Sequence, residues 1–321
     1  MEIHPALQAL RSDDAPQRRA QGRLYAELEA WRAEAGIAGL EAELATLASG
    51  MALETLPGLS ALFAPEDPSA AALADGFVAR FCAGVERDPL GQVPLRHQLD
   101  DVTAAAMLAR SGDAALLLCA VDGLALARQH APLSVSFAPS QTFERVLAGS
   151  ARISRVSLSG DADLIQADER LAPGMVSRRD GAREALVLRS VTGTLVTLKL
   201  HLRAKAGAVT REYRLADGAL LHQAAANPRD SRLELAAALL GRMGRRDAAP
   251  VLAAMAGEAG EAGLRWQALK ECLGLDTAAG FAALCAIAAR ADDPLAAPAG
   301  ALRAQLIETY PALAGIAPCP A

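Results

Sequence analysis

The hydrophobic period of this chain changes twice, and that double change constrains its fold more than any other feature. Up to about residue 92, and again after Asn227-Pro228, apolar residues recur every third or fourth position, as on the buried face of a helix. From Ser134 the repeat shortens to two. Thr142–Leu147, Ala151–Ser159, Ala185–Val191, Thr194–Arg203, Thr210–Leu215 and Ala219–Ala225 are short segments rich in Val, Leu, Thr and Ile, punctuated by Gly, Asp and Pro. Evenly spaced short strands of this kind predict an antiparallel sandwich or barrel. The chain therefore reads as α+β in three parts: an N-terminal helical segment over 1–92, a β-sandwich or barrel domain over 93–226, and an α-helical domain over 227–321. A length of 321 residues suits two or three domains of ordinary size.

Two strands disclose their faces. In Thr194–Arg203, Val196, Leu198, Leu200 and Leu202 share one side, and Thr197, Lys199, His201 and Arg203 share the other, so one face is expected buried and the other wet. Asp217-Gly218 has the composition of a type I′ turn, which sets Leu215 opposite Leu220 and Tyr213 opposite His222 on the apolar inner face. Earlier, Val102–Ala109 and Ala114–Val121 flank Arg110-Ser111-Gly112-Asp113; a hairpin is expected there, with an alanine-rich helix pair as the competing arrangement.

The two ends read as helices. Asp14 and Pro16 mark a start followed by Leu24, Leu28 and Trp31, and Leu40, Leu44 and Leu47 form a second stripe; further helices are expected near Leu59–Phe63 and from Pro68 to Glu86. After Pro228, stripes run through Leu233, Ala237 and Leu240, through Leu252 and Met255, through Leu264, Ala268 and Cys272, and through Phe281 and Leu284 behind a capping Asp276. Leu233 and Ala237 map onto Leu264 and Ala268 at an offset of 31, and Leu252, Met255 and Ala256 onto Leu284, Ile287 and Ala288 at 32. Residues 229–310 thereby resemble HEAT-like helical repeats, which implies an interaction surface or a cap on the neighbouring domain rather than chemistry.

The middle segment carries a second resemblance. Glu144-Arg145-Val146-Leu147-Ala148-Gly149 looks like the end of the first cupin motif, and Leu171-Ala172-Pro173-Gly174 like the Pro-Gly turn of the second. Residues 134–226 are thus similar to a cupin jelly roll. Metal-binding cupins place a His-x-His pair ahead of that glutamate and a histidine soon after the Pro-Gly turn. Here Ala138, Pro139, Ser140, Gln141 and Thr142 stand in the first place, and Met175, Val176, Ser177, Arg178 and Arg179 in the second. The imidazole cluster that holds a catalytic ion is missing, so no metal and no cofactor is expected.

Charge narrows the partners. The net charge is −5, with 18 acidic against 10 basic groups over 1–141 and a middle segment of only +4, too weak a field for nucleic-acid binding. Five scattered cysteines without a Cys-x-x-Cys pair suit a reduced cytoplasm. The first nineteen residues lack an unbroken apolar run, and Ala114–Ala127 is too short for a bilayer, so neither a secretory leader nor a membrane span is expected. Phosphate-loop, dinucleotide, zincin and esterase signatures are absent from the sequence.

Five groups remain as candidate ligand-binding residues. His222 with Tyr213 faces the expected barrel interior, His97 lies in the polar run Arg96–Asp101, and Arg178 and Arg179 flank Asp180-Gly181 in an expected basic loop whose guanidinium forks suit carboxylates or phosphates. His201, beside Lys199 and Arg203, is assigned to the solvated face. The leading expectation is a non-enzymatic binding or regulatory protein with a protein partner and room for a small-molecule ligand. The rival is a cupin-type metal enzyme with a rearranged site built from His222, His97 and His201; a structural role in a larger assembly is a third reading.

Overall fold

A computed structural model describes Leu10 and residues 13–159, 163–203 and 208–316, so His4, Lys205 and Cys319 lie outside the described residues. The fold is α+β and divides into two compact units, Met1–Arg203 with Arg214–Ala219, and Ala204–Tyr213 with Leu220–Ala321.

The first unit opens with α1 (Ala15–Arg32), α2 (Ala35–Ala48), α3 (Pro57–Leu62) and α4 (Ser69–Arg87). The stripe of α1 buries as its spacing predicts: Leu24, Leu28 and Trp31 are all inaccessible to solvent. Trp31 meets Phe77 and Phe81 of α4 edge-on, at ring-centre distances of 5.5 and 6.1 Å. These helices do not close on themselves. Leu28, Trp31, Leu44, Leu59 and Phe77 share one core with Leu108, Leu116, Phe143, Leu198 and Leu200 of the sheet.

That sheet is antiparallel. Its strands are β1 (His97–Leu99), β2 (Thr103–Ser111), β3 (Ala114–Asp122), β5 (Ser140–Ser159), β6 (Asp163–Leu171), β7 (Val176–Asp180) and β8 (Glu184–Arg203), in the order β1-β2-β3-β8-β5-β6, with β7 also on β5. A short helix α5 (Gly123–Leu126) and strand β4 (Ser134–Phe137) lie between β3 and β5. The hairpin at Arg110–Asp113 forms, with Gly112 at φ +52°. Two expectations need correcting. The segments 142–147 and 151–159 are one strand, β5, and 185–191 and 194–203 are one strand, β8. Arg178 and Arg179 lie in β7 rather than in a loop, because the backbone of Thr142–Phe143 offers them a ladder.

The sheet is rolled, and its register shows why. Asp180 pairs with Gln141 and Glu184 with Ser157, so residues 181–183 join points sixteen residues apart on β5. A straight strand would separate those points by about 50 Å, whereas four Cα steps reach no more than about 15 Å. β5 therefore curls until its ends meet. Gly181 N donates to Ser140 O at 2.7 Å and Leu158 N donates to Arg183 O at 2.8 Å, so the same three-residue link is bonded to both ends. The bend is spread over register shifts between Val146 and Ser150 and at Arg152/Ile153. Gly149 sits there at φ +78°, where a Cβ would stand 2.2 Å from the carbonyl oxygen of Thr194.

In the second unit, β9 (Val209–Arg214) pairs with β10 (Leu220–Ala225), followed by α6 (Pro228–Arg242), α7 (Ala249–Gly257), α8 (Ala262–Leu275), α9 (Thr277–Ala288) and α10 (Ala296–Thr309). Asn227, Glu261 and Asp276 cap α6, α8 and α9 by accepting from backbone amides. Ala237 and Ala268, and likewise Leu252 and Leu284, enter a single core with Leu269, Phe281 and Ile287. The hairpin register differs from expectation. Arg214 N donates to Ala219 O and Gly218 N to Arg214 O, a four-residue turn with Gly218 at φ +71° instead of a two-residue one. Tyr213 therefore faces Leu220, and after a bulge His222 faces Glu212. Among the described residues no helix is long and apolar enough to cross a membrane.

Candidate functional site

Rolling the sheet gives it an inside, and one half of that inside sets charged and polar side chains beside apolar ones. On β8, Leu198 and Leu200 point into the core shared with α1–α4, which leaves Thr197, Lys199 and His201 facing the lumen. The alternation read from the sequence is real, but the face assigned to solvent is the interior. Its partners on β5 alternate in step. His201 stands opposite Thr142, Lys199 opposite Glu144 and Thr197 opposite Val146. On the flanks, Arg179 of β7 pairs with Thr142 and Ser177 with Glu144, while β3 adds Leu117 beside Lys199 and Cys119 beside Thr197.

These rows line a cavity of about 700 Å³ whose wall includes Leu117, Thr142, Arg179, Glu184, Leu186, Leu188, Lys199 and His201. Glu144 is almost fully buried, and Lys199 Nζ lies 3.1 Å from its Oε1. Thr142 Oγ1 is 3.2 Å from His201 Nδ1. Arg155 is bidentate on Glu169 at 2.7 and 3.0 Å, with Glu184 of the cavity wall 3.9 Å away. The Arg179 guanidinium makes no hydrogen bond or ion pair with any described residue.

Electrostatics follow from this layout. Burial, reinforced by Arg203, Arg179 and Lys199, holds His201 below the usual imidazole range. Burial pushes the Cys119 thiol up, against the pull of Lys199. Burial lowers Arg179 as well, and the attraction of Glu144 only partly offsets it. The hydrogen bond from Arg155 holds Glu169 below the usual carboxylate range.

Of the residues singled out in the sequence, the cavity takes Arg179 and, from the solvated set, Lys199 and His201. Arg178 sits on the opposite face of β7, exposed, its guanidinium 5.3 Å from the ring centre of Phe143. His97 is exposed on β1, its Nδ1 2.9 Å from Leu95 O. Tyr213 is buried, whereas His222 is exposed, the reverse of its expected inward placement, because the longer turn and the bulge shift its register. Thr142, Cys119 and Leu117 were not singled out. The available signal was that Thr142 and Glu144 alternate with Phe143 and Arg145 just as Thr197, Lys199 and His201 alternate with leucines.

A cupin-type metal centre does not fit these donors. Glu144 is occupied by an ammonium, and no histidine stands among residues 138–142 or 175–179. No group of three or more His, Cys, Asp or Glu among the described residues has the arrangement to hold an ion.

No protein-family model and no curated protein sequence matches this chain. Among solved structures it is similar to a 7S globulin from Momordica charantia, at 13% identity and TM-score 0.28 over 39% of this chain and 36% of the globulin. It is also similar to a cupin superfamily protein from Desulfitobacterium hafniense, at 16% identity and TM-score 0.23 over 33% of this chain and 83% of that one. A third is Fe(II) HppE, at 15% identity and TM-score 0.26 over 34% of this chain and 55% of HppE. The chain spans about a third of the globulin's length. At scores this low nothing is carried over from these proteins, and the rolled sheet rests on its own register.

Proposed function

We propose that this protein is a non-enzymatic binding or regulatory protein whose rolled sheet takes a small organic ligand into its polar lumen, and whose helical unit offers a HEAT-like surface to a protein partner. The observation that carries the reading is the Lys199–Glu144 pair, 3.1 Å apart beside a cavity of about 700 Å³. The volume suits a small organic molecule, and the buried Glu144 carboxylate is already held by an ammonium. The equivalent burial of Ala237 with Ala268, and of Leu252 with Leu284, supports the repeat reading of the helices.

Metal analysis of the purified full chain, with a thermal-shift screen of small organic molecules, tests the reading. The expected result is metal-free protein stabilised by a subset of the molecules, since a ligand at a hundred times its Kd adds about 2.7 kcal/mol. Stoichiometric iron, manganese, nickel or zinc that is lost on Glu144→Gln would overturn it.

A further inference from the structure

Three cations stand in or behind the cavity wall, and two are matched. Lys199 is held by Glu144 at 3.1 Å, and Arg155 by both oxygens of Glu169 with Glu184 at 3.9 Å. Arg179 is the third. It lines the cavity, half-buried, in the same row as Thr142 and His201, and its guanidinium is unpaired among the described residues. Withdrawing a guanidinium from water without a counter-charge is unfavourable. His201 does not relieve this, being a neutral neighbour at pH 7 whose Nδ1 lies 3.2 Å from the Thr142 hydroxyl. Glu144, Glu169 and Glu184 balance the three cations in number, but none of them bonds Arg179, so its N–H donors are left open beside a wall of Leu117, Leu186 and Leu188.

We propose that the lumen binds a small organic monocarboxylate, with the carboxylate forked on Arg179 and the apolar body against Leu117, Leu186 and Leu188. This rests on the reading of the lumen as a ligand site. A guanidinium presents paired N–H donors that match the two carboxylate oxygens. A single charge suits the site better than a phosphate dianion, because one guanidinium has open donors and the attraction of Glu144 and Glu184 already reaches it, so added negative charge is opposed by both carboxylates.

Titration calorimetry on the full chain with octanoate, 1-octanol and octyl phosphate tests the proposal. Wild-type protein is expected to bind octanoate at least tenfold more tightly than octanol, and more tightly than octyl phosphate. Arg179→Gln is expected to weaken octanoate about ten- to a hundredfold, the loss of a charged hydrogen-bonded pair, while octanol stays within about twofold. Retained octanol binding also shows that the variant is folded; should it not fold, Arg179→Lys replaces it, expected to weaken octanoate several-fold because an ammonium has no fork. Octanoate no tighter than octanol, octyl phosphate tighter than octanoate, or full octanoate affinity in the Arg179 variant would each overturn the proposal while leaving the lumen a ligand site. Failure of all three probes to bind would overturn the lumen reading with it.

Discussion

Replacing Lys199 by methionine isolates the lumen pair in a single step, and the two side chains predict an asymmetric response. Glu144 is 8% exposed and Lys199 is 33% exposed. Lys199→Met leaves a carboxylate with almost no water to turn to, and breaking a buried pair in this way costs about 3 kcal/mol, the low end of the usual range because the pair is not wholly dry. Glu144→Gln leaves a lysine that already reaches solvent, and should cost only about 1 kcal/mol. The double variant removes both charges and should lie within about 1.5 kcal/mol of wild type, giving a coupling of roughly 2.5 kcal/mol. Urea unfolding measures this. Trp31 is buried in the first unit and Trp266 belongs to the second, so a Trp266→Phe background makes fluorescence report the unit that holds the lumen. With m near about 2 kcal/mol/M, Lys199→Met moves the midpoint down by about 1.5 M. Equal losses for the two single variants, or a coupling below about 0.5 kcal/mol, would show that Glu144 is not in a dry lumen and would refute the inside-out assignment of β8.

Three further outcomes follow in the same background. Leu200→Ala, at a side chain with no exposure between sheet and helices, should cost about 2–5 kcal/mol in urea, while Leu99→Ala in the same unit, at 77% exposure, should stay within about 0.5 kcal/mol. Gly149→Ala should destabilise by more than the roughly 1–2 kcal/mol of a left-handed alanine, since its Cβ also meets Thr194; Gly193→Ala, at φ +68° with open space, should show only the backbone part. Burial lowers the folded-state value of His201, so the unfolded chain binds the proton first; the stability present above about pH 6.5 is lost as the pH falls through the depressed folded value. His201→Gln should flatten that slope in urea midpoints measured between pH 5 and 7.5, and an unchanged slope would refute the burial of the imidazole.

What the sequence disclosed, it disclosed through periodicity. The stripe Leu24–Leu28–Trp31, the cap at Asp276 and the alternation of Thr194–Arg203 all reappear, because each depends only on residues close along the chain. The Glu144–Gly149 and Pro173-Gly174 fragments also fall on a strand bend and a turn of the rolled sheet. What escaped depends on partners far away. Asp163–Leu171 is a strand despite five polar side chains in nine positions, because β5 supplies its ladder. The polar row of β8 looks solvated until α1–α4 cover the leucine side, a contact between residues more than a hundred positions apart. His222 was misplaced by a turn two residues longer than Asp217-Gly218 suggested, enough to change its cross-strand partner from Tyr213 to Glu212.

The charged interior is itself an argument about purpose. A small rolled sheet is most simply filled with leucine and valine, and here the far half of the roll is filled that way, by Val146, Ile153, Leu171 and Leu195. The half toward Thr142 carries Glu144, Lys199, Arg179 and His201 instead. Paired charges in an interior contribute little to stability, and replacing them with apolar side chains of similar volume is often neutral or favourable. The outer face does not need them, because Leu198 and Leu200 already anchor β8 to the helices. A pair such as Lys199–Glu144 therefore earns no place through folding alone. It is better explained as the setting for the Arg179 guanidinium, which lines the same cavity with no hydrogen bond or ion pair among the described residues.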